Sequence, residues 1–172
     1  MVLTNSVILG VRVWFHIFSV VAWFGAVLFF VIIIETSLPK LSPQTNGELV
    51  LKVFPKFIRY VQLFSVLTLI FGIILAFDIS NGDLALFGLG STWGLFVTIG
   101  ASFGFATLLI LFLLAAPSVS RLGKLIMQMQ ANPQQPPPRE FHILQKRLEI
   151  GGPTALGLLF LALVFMIAAA TV

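Results

Sequence analysis

One histidine stands inside the first long apolar run of the chain, in Arg12-Val-Trp-Phe-His16-Ile-Phe-Ser19-Val-Val-Ala-Trp23-Phe-Gly25. An ionisable side chain within an apolar helix is costly enough to point to function. On a helix turning by 100° per residue, Arg12, His16, Ser19, Trp23, Ala26 and Phe30 fall within roughly 80° of one another. That stripe is expected to face protein, not lipid. Neutral imidazole is a standard ligand for haem iron and for copper, and a thioether suits both metals. Met166, six residues before the last, is expected at a similar depth, so His16 with Met166 is one candidate axial pair. His16 from a second protomer is another. The same residue types also fit a structural role, with the imidazole bonded to a hydroxyl or a carbonyl and docking two helices together.

The elements that must position these residues are apolar throughout. Hydrophobic residues make up 59% of the 172, charged residues 9%, and the mean hydropathy is +1.08. These values lie far from soluble averages and leave room for one helical domain only. The absence of cysteine removes disulfides, thiolate metal sites and cysteine nucleophiles. Four runs, at about 7–34, 54–77, 92–116 and 153–172, approach or exceed the ~20 residues a bilayer needs. None alternates in polarity as a barrel strand would. The expected fold is all-α, a four-helix transmembrane bundle in a single domain, with a cytoplasmic loop at 117–152.

Lys40, Lys52, Lys56, Arg59, Arg121, Lys124, Arg139, Lys146 and Arg147 fall on one side of these spans. The connection between the second and third spans carries only Asp78 and Asp83. The positive-inside rule then places both termini outside and the two basic loops in the cytoplasm of a multi-pass cell-membrane protein. The basic residues therefore orient the chain in a lipid bilayer, and no nucleic-acid partner is expected. Arg12 is the exception, placed to snorkel to the outer interface. Asp78, Thr98 and Ser102 are expected in the same outer layer as His16, and His142 on the opposite side.

Other expectations concern packing. Gly94, Thr98, Ser102 and Ala106 recur four apart on the third span, and Gly100 with Gly104 forms a GxxxG. Either pattern permits close helix contact, within the chain or across a homodimer or larger membrane complex. Trp23 should pack inside the bundle beside Gly25, Trp93 should anchor at the outer interface, and Glu35 should be solvated or else paired with a basic residue between the first two spans. The amphipathic stretch Arg121–Met129 should lie along the inner membrane surface. Gly151, Gly152 and Pro153 should punctuate the chain before the last span. No Ser-His-Asp set, GxSxG, HExxH or phosphate-binding loop is present, and nothing decides whether the protein is an enzyme.

His16-x6-Trp23-x-Gly25, Pro39 after the first span, and Arg59 and Gly72 in the second resemble the group of small membrane families around the copper-resistance CopD domain and the HemJ-type protoporphyrinogen oxidases. The resemblance covers about 70 residues. It implies that His16 is a cofactor ligand: haem b as in HemJ-like proteins, or copper as in CopD-like ones. Together with the helix stripe and the outer polar layer, this points to membrane redox chemistry or metal handling, with Arg12, Ser19, Trp23, Gly25, Arg59, Thr98 and Ser102 as supporting residues. The chain lacks the arginine after the first span and the lysine in the third of HemJ proteins. It is also shorter and poorer in Met and His than CopD proteins. A non-catalytic accessory subunit, in which His16 merely docks helices, is the alternative.

Overall fold

The computed structural model describes residues 2–132, 134 and 136–172. Its elements are α1 (Val2–Phe29), α2 (Pro43–Glu48), α3 (Phe54–Ile79), α4 (Thr92–Leu109), α5 (Ala116–Ala131) and α6 (Arg139–Ala169), with no strand among the described residues. Four continuous helical stretches are long and apolar enough to cross a membrane: Ser6–Lys40, Pro43–Ile79, Thr92–Ala131 and Arg139–Ala169. The all-α, four-helix architecture is as expected.

Three stretches are wound as π-helix: Phe30–Glu35, Leu49–Val53 and Ile110–Ala115. Each covers the residue four before a proline, namely Glu35 before Pro39, Leu51 before Pro55 and Leu113 before Pro117. Proline lacks the N–H that this carbonyl would accept and its ring pushes the carbonyl away. A shift to i→i+5 bonding restores partners along the wider turn. The N–H of Phe54 accordingly donates to Leu49 O, and that of Ala116 to Leu111 O.

The four stretches continue as helix past their apolar runs at the basic end. At 1.5 Å per residue, the 40-residue Thr92–Ala131 helix is ~60 Å long, about twice the hydrocarbon thickness. The Arg121–Met129 stretch is therefore the continuation of the third span, and its expected course along the membrane surface is not observed. Its apolar face, Val119, Leu122 and Ile126, is buried. A Cβ at Gly47 would touch Ile126, and one at Gly123 would touch Leu51. Leu144 of α6 is 2% exposed in the same core. Removing such side chains from water contributes ~1.5–3 kcal/mol each.

Gly151, Gly152 and Pro153 do not interrupt α6, which runs through them. The two glycines face close neighbours, Leu114 and Glu35 respectively, so tertiary contact holds the helix where propensity would end it. Within the apolar region α1 packs chiefly on α3 and α4 on α6, and the two pairs then meet side by side. Large side chains such as Phe18, Val21, Ile70, Ile73 and Phe160 point outward, as lipid permits.

Candidate functional site

The predicted stripe of α1 does turn inward. Ser19 and Trp23 are 1% and 2% exposed, Arg12 and His16 are half-buried, and Trp14, Phe15, Ile17 and Phe18 between them are exposed. His16 meets α3. Its Nδ1 lies 3.0 Å from the carbonyl oxygen of Thr68. A carbonyl only accepts, so Nδ1–H donates, and in the neutral ring Nε2 keeps its lone pair. In a helix the side chain of residue i+4 normally covers the carbonyl of residue i. At this position it is Gly72, and a Cβ there would lie 2.9 Å from His16 Cε1. The glycine is what lets the ring reach the carbonyl.

One turn toward the termini, Arg12 Nη1 donates to Asp78 Oδ1 at 2.6 Å, again joining α1 to α3. Both side chains are about one-third exposed. The sequence allowed this pair: opposite charges stand at the same end of neighbouring antiparallel helices. Ser19 Oγ donates to Phe15 O at 2.6 Å on its own helix. Aromatic rings flank the histidine on both helices, Phe15 stacking on Phe71 and Phe18 meeting Phe64 edge-on.

Met166 belongs to the other helix pair. A Cβ on Gly100 of α4 would lie 3.1 Å from Met166 Cε. Gly152 lies beside Glu35, and from that level Met166 is fourteen residues along α6 while His16 is nineteen along α1. At 1.5 Å per residue the histidine sits ~7 Å nearer the termini. Thr98 and Ser102 are exposed. Thr98 Oγ1 accepts from Gly88 N–H, and Ser102 Oγ donates to Thr98 O. Of the two small-residue stripes on α4, Gly100 and Gly104 are both buried, whereas in the other only Gly94 is.

Gly25 is half-buried, and a Cβ there would meet nothing within 4 Å. Arg59 is exposed, as is His142 on the basic-end part of α6. Trp93 stands near Phe87 of the connection between α3 and α4, ring centroids 5.6 Å apart. Among the described residues no group of three or more His, Cys, Asp or Glu could hold a metal ion.

Two buried polar atoms lack partners, one on Glu35, which sequence reasoning did not assign to a site, and one on Trp23, which it did. Glu35 is not simply solvated: its Oε2 is buried without a hydrogen-bond partner, beside Gly152. Trp23 Nε1 is likewise buried and unpartnered, and Trp23 lines a partly open apolar cavity of about 70 Å³. No family model, curated protein or solved structure matches the chain.

Proposed function

We propose that this is a multi-pass cell-membrane protein, with termini outside and basic loops in the cytoplasm, that binds a cofactor through His16 Nε2 for membrane redox chemistry or metal handling. Haem b is the leading cofactor and copper the second. The observation that carries the reading is the fixed tautomer: Nδ1–H is held by the Thr68 carbonyl on the Gly72 seat. Metal-ligating histidines characteristically donate their other nitrogen to such an acceptor, which fixes the ring and raises its basicity. A single oriented imidazole among Phe15, Phe18, Phe64 and Phe71 is a donor set and setting that suits haem iron. Bound haem supplies a one-electron centre. The protein supplies the ligand and its orientation, and excludes water.

Met166 packs against α4, on the other helix pair. His16 of a second protomer would therefore be the other residue to hold the haem. A haem titration of detergent-purified protein tests this. Wild type should bind near one haem per two chains, His16→Ala should bind none, and Met166→Leu should bind as wild type. Equal binding by His16→Ala would overturn the reading. The accessory-subunit alternative draws on the same contacts, since the His16–Thr68 and Arg12–Asp78 bonds both clamp α1 to α3. It predicts no haem binding by any form.

A further inference from the structure

Every span departs from regular α-helix at one level. Phe30 and Val31 belong to one π-helical stretch, Ile110 to Ala115 to another, and Phe54 directly follows the third. On α6 the same level carries Gly151, Gly152 and Pro153, where proline leaves the Glu149 carbonyl without its helical donor. Contacts put the four together. Phe30 meets Phe54 with ring centroids 5.1 Å apart. A Cβ on Gly151 would lie 3.0 Å from Leu114, and one on Gly152 3.3 Å from Val31. The partly open apolar cavity lies among these same residues. Helices bend most readily at prolines and π-helical turns, so this is the level at which the basic-end helices can tilt against the rest of the bundle.

Glu35 closes the π-helical stretch that follows α1 and sits in this layer. Its Oε2 is buried without a hydrogen-bond partner, and a Cβ on Gly152 would lie 2.8 Å from it. The glycine leaves room for the carboxyl. The spans of α3 and α4 meet the layer with apolar side chains, Phe54 and Phe57 from one, Leu114 from the other. From α6, Glu149 is the titratable group that faces Glu35, one turn before Gly152 and of the same charge. Among the described residues no lysine or arginine pairs with Glu35, the ion pairs being Arg12–Asp78 and Lys52–Glu48. An ionised carboxylate so placed lacks water on one oxygen, a donor and a counter-charge, and costs far more than the neutral acid. The residue as a whole is half-buried, so the carboxyl exchanges protons with water.

We propose that Glu35 is a proton-operated latch on this layer. Protonated, it rests against Gly152 and holds the end of the first span to α6. Once its proton passes to water, the carboxylate leaves that seat and the first span swings from α6 about the π-helical turns. The chain has no cysteine, so Thr36→Cys with Lys146→Cys puts one spin label on each of the two helices of the full-length protein in detergent. Both positions are exposed. Infrared spectra of the same samples read the carbonyl stretch of a protonated carboxyl. At ~pH 6, well above the ~4.3 of an ordinary glutamate, wild type should show one such band and a short label distance. By ~pH 9 the band should be gone and the distance longer. Glu35→Gln should lack the band and keep the short distance throughout. Glu149→Gln, which removes the neighbouring charge, should lose the band at lower pH than wild type. Gly152→Ala puts a methyl in the seat and should show the long distance at every pH, a second test should Glu35→Gln not fold. A wild type without the band at ~pH 6, a band retained in Glu35→Gln, or a label distance insensitive to pH would overturn the proposal. So would a Gly152→Ala chain that keeps the short distance, or a Glu35→Gln chain that opens with pH as wild type does.

Discussion

At residue scale, the contact between His16 and Gly72 is the tightest statement the molecule makes. Gly72→Ala places a methyl 2.9 Å from the imidazole, and the ring must leave the Thr68 carbonyl to make room. Overpacking of this kind costs ~1–3 kcal/mol, so the variant should unfold at lower temperature in detergent and lose haem affinity together. Asp78→Asn removes a pair about one-third exposed and should cost less than about 1 kcal/mol in the same assay. A larger loss from Asp78→Asn than from Gly72→Ala would shift the weight of the α1–α3 contact to the ion pair. His16 itself was legible in the sequence, because ionisable residues in apolar runs are rare. Its seat was not: Gly72 was noted only as part of the resemblance, and that it admits the ring cannot be read until the facing helix is known. The same is true of Trp23 and Glu35, whose missing partners are properties of three-dimensional neighbours.

At the scale of elements, small residues on α4 carry a sharper lesson. Four-residue spacing marked two stripes, and only the packed structure distinguishes them. A Cβ on Gly100 would meet Met166 Cε at 3.1 Å and Ala162 O at 3.2 Å, whereas one on Gly104 would meet nothing within 4 Å. Gly100→Val should therefore loosen α4 from α6 and lower the melting temperature. Gly104→Ala should be neutral or raise stability, up to the ~1 kcal/mol that alanine gains over glycine in a helix. The spans were readable from apolar length, but their true ends were not. Helix continues into polar sequence because Leu49–Val53, α5 and the first half of α6 bury apolar side chains such as Val50, Leu122 and Leu144 in one core. Of the prolines beside the spans, only Pro153 was read as punctuating the chain. Pro39, Pro55 and Pro117 follow π-helical turns, and Pro153 sits within an unbroken helix.

At the scale of the whole molecule, the bundle has two regimes. The basic end is held by burial from water, so Leu144→Ala, at a site 2% exposed, should cost ~2–5 kcal/mol. The apolar region is held by close packing and by bonds such as His16 to Thr68, since lipid supplies little drive between helices. Orientation is checkable without background because the chain has no cysteine. Asp83→Cys should react with an impermeant maleimide on intact cells, and Gln134→Cys only after permeabilisation. The reverse pattern would invert the topology and place His16 in the inner leaflet. Charge asymmetry was the whole of that inference, and no side-chain contact adds to it.

The most direct test of His16 as a cofactor ligand is the reduced-minus-oxidised absorbance spectrum of protein purified from haem-replete cells, beside that of His16→Ala. The account predicts a Soret band with reduced α and β bands in the wild type, absent from a variant that still folds. A wild-type protein without those bands, or a variant that keeps them, would contradict it.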